Sequence, residues 1–186
     1  MNKKETRFEI EVGGAKGFLA PLTFPVVEAA LGYTFAEIPK YLTAGAIILK
    51  SLWLRGSKSL QENGVNYDEA CFQAYSAVRG IKYTFEDNVI TIPFKRENPK
   101  KKGEFLPHDF KCTLKENLDR DTLEETLGLI LPNGGNPRPL TAGKMILEKN
   151  WESGDKEIKT NGELLIAASL ACYYLIKFKG GTLKKV

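Results

Sequence analysis

An internal repeat constrains this chain more than any other feature of its sequence. Residues 42–64 and 140–162 align without a gap at an offset of 98, and 11 of the 23 positions are identical. The only two tryptophans of the chain, Trp53 and Trp151, fall at equivalent positions. Because a repeat of this kind marks copies of one supersecondary unit, the sequence predicts two diverged copies of one helical module.

Each copy has the apolar spacing of an amphipathic helix. In the first copy the apolar positions are Leu42, Gly45, Ile48, Leu49 and Trp53, and the second copy repeats the pattern 98 residues later. Gly56 and Gly154 follow, and we expect them to be left-handed C-terminal caps, since glycine reaches that conformation without steric cost. A polar stretch and a second helix come next, so each copy is predicted to be a helix-turn-helix.

Alternating apolar and polar residues outside the repeat predict β-hairpins. One spans Phe8 to Ala20 and turns at Gly13-Gly14, and another spans Ile81 to Phe94 and turns near Asp87. The expected fold class is therefore α+β, with two tandem diverged helix-turn-helix modules and small antiparallel β-hairpins. The expected domains are a first module at residues 1–94, a basic linker at 95–103 and a second module at 104–186.

The net charge of +4 comes from one short stretch. Residues 1–94 carry ten basic and ten acidic residues, and residues 103–186 carry twelve of each, so the excess lies in 95–102. The basic residues of this stretch are Lys95, Arg96, Lys100, Lys101 and Lys102. Its composition is typical of an exposed loop. These five residues are candidate phosphate contacts, which makes nucleic-acid binding through the basic linker one hypothesis.

The sequence offers little for catalysis or metal binding. The one histidine, His108, is expected in an exposed loop beside Asp109, and sequence neighbours rarely face one another as a catalytic pair. The three cysteines are an odd number without CxxC spacing, which disfavours a zinc site and a disulfide framework. We therefore expect a non-enzymatic protein with no catalytic residue, no cofactor and no metal.

Two segments bear on the compartment. The N-terminal residues Met1 to Glu11 are charged and lack the apolar stretch of a signal peptide. The most apolar run, Leu164 to Ile176, has 13 residues, whereas a membrane-spanning helix needs roughly 20. We expect a cytoplasmic protein that does not cross a membrane.

The repeated block LTAG-x-x-IL-x-x-x-W-x-x-G continues in the second copy as DKEIKTNGELLIAASLACYYLI. It resembles the small tail assembly chaperones of tailed bacteriophages, which pair a short strand segment, here FEIEVGGAKGFLAP, with an alanine-glycine helix, a Gly-Asp turn and a closing apolar helix. The resemblance covers about two thirds of the chain. The chain departs from the family pattern in having two tandem copies and in reading Gly56-Ser57 where the pattern has Gly-Asp.

The resemblance implies transient binding of a tape-measure or tail-tube protein in the host cytoplasm. The candidate partner-binding residues are Trp53, Trp151, Tyr173 and Tyr174, and for each of them the alternative is a place in the core. A permanent component of the virion, such as a neck, tail or capsid-associated protein, is the second hypothesis. The partner and the oligomeric state are left open.

Overall fold

The computed structural model describes residues 8–131 and 134–179, with side chains as far as Leu175. Most of the charged N-terminal segment considered above lies outside the described residues. The fold is mixed α+β with antiparallel sheets, which confirms the expected class. The chain forms two compact units: unit 1 is Met1–Ile81 with Pro132–Pro139, and unit 2 is Lys82–Leu131 with Leu140–Val186.

Unit 1 combines a three-stranded antiparallel sheet with helices. Its elements are β1 (Phe8–Val12), β2 (Ala15–Leu19), α1 (Phe24–Thr34), α2 (Tyr41–Leu52), β3 (Trp53–Gly56), a 3-10 helix (Lys58–Leu60) and α3 (Val65–Arg79). The predicted first hairpin is confirmed, since β1 pairs with β2 across Gly13-Gly14, whose φ angles are 56° and 82°. The strand order is β1-β2-β3. The core is made of buried aliphatic side chains, among them Ile10, Leu19, Ile48, Leu49 and Leu60.

Unit 2 has a four-stranded antiparallel sheet in the order β4-β5-β6-β7. Its elements are β4 (Thr84–Glu86), β5 (Val89–Glu97), β6 (Phe105–Leu114), α4 (Arg120–Ile130), α5 (Pro139–Asn150), β7 (Trp151–Gly154), α6 (Glu157–Thr160) and α7 (Gly162–Lys179). The second predicted hairpin is confirmed in β4 and β5, which turn at Asp87 and Asn88 with φ of 48° and 63°. Two left-handed residues suit the tight turn that joins twisted strands.

The order of elements in unit 1 recurs in unit 2 after the additional strand β4. Backbone hydrogen bonds recur as well. The amide of Ala20 donates to the carbonyl of Leu52 at 2.7 Å, and in unit 2 the amide of Lys115 donates to the carbonyl of Asn150 at 2.8 Å. Residues matched at the offset of 98 therefore lie in corresponding elements.

The second helix of each repeat crosses the first at a glycine. A Cβ atom built on Gly45 would lie 1.9 Å from the carbonyl oxygen of Cys71, and one on Gly143 would lie 1.8 Å from that of Ser169. Cys71 and Ser169 are themselves 98 residues apart. Only glycine lets the two backbones approach this closely, which explains why the glycine of the LTAG motif occurs in both copies.

The segment between the two helices of each repeat is more than the predicted turn. The first helix ends at Leu52 or Asn150, and a strand of four residues and a short helix follow before the second long helix. The prediction that Gly56 and Gly154 cap helices is wrong, because both are the last residues of strands, with φ of 145° and 142°. Each lies against the neighbouring strand, where a Cβ atom would come within 2.4–2.5 Å of a backbone atom.

The predicted basic linker at 95–103 does not separate two modules. Lys95 and Arg96 lie in β5, which pairs with β6 from Val89↔Thr113 to Glu97↔Phe105. Residues 98–104 connect these two strands of one hairpin. The first segment of unit 1 ends at Ile81, before the second hairpin. The sequence had predicted that the first module ends at Phe94.

Candidate protein-binding surface

Four large apolar side chains of unit 1 are exposed where the loop after α1 leads into α2 and along the neighbouring helix α3. Their exposed fractions are 73% for Ile38, 49% for Tyr41, 48% for Leu42 and 48% for Phe72. We call these four residues the unit 1 apolar surface. Exposed apolar side chains that lie together are typical of binding surfaces, whereas scattered ones are ordinary.

The packing of α2 on α3 places Tyr41 against α3. The close contact between Gly45 and Cys71 fixes the two helices side by side. One turn from Gly45, the ring of Tyr41 lies 5.5 Å from the ring of Tyr75 on α3. Phe72 precedes Tyr75 by three residues and therefore occupies the same side of α3. Tyr41 and Phe72 thus flank the largely buried Tyr75.

The four side chains of the unit 1 apolar surface are uncharged, and the exposed charged residues Glu37, Lys40 and Glu69 lie near them in the chain. Burial raises the pKa of the Cys71 thiol, next to Phe72 in the sequence, so this group stays neutral. Because the hydrophobic effect is non-directional and grows with the area removed from water, such a surface suits an apolar protein segment better than a small polar ligand. Val65 is also exposed, but it lies two turns away from Phe72 at the start of α3.

The matching positions later in the chain differ. Residues 98 further along the chain are Asn136, Pro139, Leu140 and Leu170. Leu140 is fully buried and Leu170 is 5% exposed, whereas Leu42 and Phe72 are each half exposed. The apolar side chains at these positions are therefore half exposed in the first copy and buried in the second.

Trp53 and Trp151, the two tryptophans predicted to bind a partner, lie at the start of the short strands β3 and β7. Trp53 and Trp151 are each half-buried and pair with Leu19 and Leu114 on the neighbouring strands. The ring of Trp53 covers Gly17, where a Cβ atom would lie 2.7 Å from the ring. The Nζ atom of Lys159 lies 4.0 Å from the centre of the Trp151 ring, a cation–π contact.

The two predicted tyrosines lie together on α7 of unit 2. Tyr173 is buried, and burial raises its pKa to about 12. Its ring lies 5.5 Å from that of Tyr174, which in turn lies 6.4 Å from the ring of Tyr83. Tyr173 therefore belongs to the core, and Tyr174 is partly covered by its neighbours.

The basic residues are divided between a strand and a turn. Lys95 and Arg96 lie in β5, and Lys100, Lys101 and Lys102 lie in the turn that follows. Arg96 forms a salt bridge with Glu157 of α6, and its Nη1 atom lies 3.3 Å from Nε2 of His108. The four lysines are exposed.

His108 lies in strand β6 and not in an exposed loop. It is half-buried, and its ring meets that of Phe110 edge-on at 4.6 Å. Asp109 follows it in the strand, where successive side chains point to opposite faces, so the two do not form a pair. All three cysteines are free and buried, and among the described residues no three His, Cys, Asp or Glu side chains group to hold a metal ion.

Sequence reasoning missed the unit 1 apolar surface. The repeat assigned Leu42 to the buried stripe of the helix, because Leu140 matches it exactly in sequence. The signal lies in the differences between the copies: Ile38 and Tyr41 are apolar where the second copy has Asn136 and Pro139. An extra apolar residue in one copy marks a face that the shared core does not require.

Among the described residues, every helix is too short or too polar to serve as a membrane span. Comparison of the chain with protein-family models, with characterised proteins and with solved structures gives no match.

Proposed function

We propose that this protein is a non-enzymatic assembly factor that binds an apolar segment of another protein through the unit 1 apolar surface. The proposal rests on Tyr41, Leu42 and Phe72, which are half exposed on the packed helices α2 and α3. Covering these side chains removes apolar area from water, and aromatic residues are frequent anchors of protein interfaces. The resemblance to tail assembly chaperones supports a tape-measure or tail-tube protein as the partner, met in the host cytoplasm.

We further infer that the two units are diverged copies of one ancestral module. The offset of 98, the matched strand-to-helix hydrogen bonds and the matched glycine crossings support this inference. On this view one copy kept a covered face, while the other changed that face into a binding surface. No reaction is assigned, because the one histidine is held by Arg96 and Phe110.

The test compares two double variants of the full chain. Tyr41→Ser with Phe72→Ser removes two aromatic anchors, and Leu127→Ser with Leu131→Ser removes two exposed leucines of unit 2 as a control. Each variant is used to capture proteins from a phage-infected host, and the captured proteins are identified by mass spectrometry. Loss of an interface anchor costs about 2 kcal/mol, so we expect the Tyr41/Phe72 variant to capture a tail protein at least roughly tenfold less well.

Unchanged capture by the Tyr41/Phe72 variant, or equal loss by the control, would contradict the proposed surface. Purified mature particles separate the two kinds of assembly protein. Absence of the chain from particles, together with specific capture of a tail protein, supports the chaperone. Its presence in particles makes it a structural component of the neck, tail or capsid.

A further inference from the structure

Strands β5 and β6 of unit 2 continue beyond the strands that flank them. β4 pairs with β5 only as far as Thr91, and β7 pairs with β6 only from Cys112 onward. The backbone carbonyl of Lys111 accepts a hydrogen bond from the amide of Asp155, and the backbone amide of Lys111 donates one to the carboxylate of Asp155. Within the described residues, Pro93 to Asp109 have only each other as strand partners, and we call this ribbon the arm. Five residue pairs give it a length of about 17 Å before the turn.

Unit 1 has no counterpart of the arm. Its hairpin is joined directly by Gly13-Gly14, and its strands have five residues each, compared with nine in β5 and ten in β6. The arm is therefore an addition to the shared arrangement. It contains five basic residues and three acidic ones, Glu97, Glu104 and Asp109, so its own net charge is +2.

The edges of the arm are protected against pairing with another strand. The amide of Leu114 donates to the carbonyl of Asn88, and bonded pairs then alternate along an antiparallel ladder. Because of this alternation, the backbone nitrogen and carbonyl groups of Pro93 and Pro107 point away from the partner strand. Proline has no N–H to donate, and it commonly blocks the addition of a strand at an edge. Each edge of the arm therefore lacks one N–H group that a further strand would need.

The arm is tied to α6 near its turn, since Arg96 lies in the fourth of its five residue pairs. Arg96 forms its salt bridge with Glu157, and its guanidinium lies 5.2 Å from the centre of the Phe110 ring. Arg96 lowers the pKa of Glu157, and Glu157 raises that of Arg96. Arg96, a candidate phosphate contact in the sequence, is thus an anchor of the arm.

The turn of the arm has exposed side chains of both signs: Glu97 and Glu104 are exposed, and so are Lys100, Lys101 and Lys102. Glu97 accepts a hydrogen bond from the amide of Gly103 at 2.9 Å, and Glu104 accepts one from the side chain of Asn98 at 3.0 Å. The Nζ atom of Lys101 lies 3.7 Å from Glu104 but is largely exposed, a geometry that contributes little. With three exposed lysines and two exposed glutamates, residues 97–104 at the tip carry a net charge of +1.

We propose that the arm binds duplex DNA without sequence specificity. A two-stranded β-ribbon has the width that the major groove admits. Lys95, Lys100, Lys101 and Lys102 then contact phosphates on the groove walls, and release of counterions drives the binding. The inference rests on unit 2 alone and is independent of the proposed protein-binding function.

The test measures the binding of the full chain to a fluorescent duplex of mixed sequence by anisotropy, over a range of salt concentrations. Four phosphate contacts predict a loss of affinity of roughly 100-fold between about 50 and 200 mM salt. The variant Lys100→Ala with Lys101→Ala and Lys102→Ala should lose about three units of the log–log salt slope. Lys58→Ala with Lys82→Ala and Lys115→Ala makes the same change of charge at exposed positions outside the arm and should keep most of the affinity.

Three results would overturn the proposal. One is no binding of the duplex at about 50 mM salt, where phosphate contacts are strong. Another is an equal loss in the two triple variants, which would reveal a general effect of net charge. The third is equal or tighter binding of single-stranded DNA, polyglutamate or anionic vesicles, which would show that the groove is not what the arm recognises. Circular dichroism of both variants checks that the fold is intact.

Discussion

Leu42 and Leu140 occupy the same place in the repeated block, yet Leu42 is half exposed and Leu140 is buried. The same holds for Phe72 and Leu170 on the second helix of each repeat. Meanwhile the backbone contact at Gly45 recurs almost unchanged at Gly143. The comparison teaches that the close helix crossing sets the arrangement of each unit, while the outer face of that crossing is free to diverge.

The largest losses of folding stability are expected at the helix crossing, which is alike in the two units. Gly45→Ala and Gly143→Ala each place a methyl group less than 2 Å from a carbonyl oxygen of the crossing helix. The helices must separate, so each change should lower the free energy of unfolding by about 3 kcal/mol or more. Urea denaturation followed by circular dichroism measures the loss.

Gly128→Ala is the matched control for these two variants. Gly128 lies within α4, and a Cβ atom built there meets no atom within 4 Å. Alanine is the better helix former, so this change should stabilise the protein by up to about 1 kcal/mol. Similar behaviour of all three glycine variants would contradict a crossing held by close backbone contact.

A second prediction compares the loss of stability at matching leucines of the two units, one buried and one half exposed. Leu140→Ala removes a fully buried side chain and should cost about 2–5 kcal/mol. Leu42→Ala removes a half-exposed one and should cost about 1 kcal/mol or less. Comparing the unfolding midpoints of the two single variants tests the difference. Equal losses would mean that the Leu42 side is covered in solution, for example by a second copy of the chain.

The smallest effect concerns a buried hydroxyl. Ser169 is fully buried, and its Oγ atom has no hydrogen-bond partner among the described residues. Cys71 stands at the matching position of unit 1, so Ser169→Cys should stabilise the protein by about 1 kcal/mol, because it removes an unpaired polar group.

Thr126→Val supplies the contrast to Ser169→Cys. Thr126 is also buried, but its hydroxyl donates to the carbonyl of Thr122 at 2.8 Å. Removing it should lower the thermal midpoint, whereas Ser169→Cys should raise it. A lower midpoint for Ser169→Cys would show that its hydroxyl is bonded in solution.

Much of the fold could be predicted from the sequence because the signals were local. Apolar spacing located the helices of the repeat, and Gly13-Gly14 and Asp87 marked hairpin turns. The strands after α2 and α5 were missed because four residues are too few to show alternation. They form only because β2 and β6 lie alongside to pair with them.

The two candidate surfaces were predicted less well. Lys, Pro and Gly gave the stretch at 95–103 the composition of a loop, and the long partner strand that orders Lys95 and Arg96 lies several residues further along the chain. Exposure of Leu42 and Phe72 could not be derived from the repeat, since one helical pattern describes both a covered face and an open one.

An experimental structure of the full chain, with residues 40–80 superposed on 138–178, tests whether the two units are copies of one module. We predict that helix, strand, short helix and helix superpose in that order, with Gly45 on Gly143 and Trp53 on Trp151. The four residues of the unit 1 apolar surface should remain exposed. Failure of the two segments to superpose, or burial of Tyr41 and Phe72 within unit 1, would contradict a duplicated module with one open face.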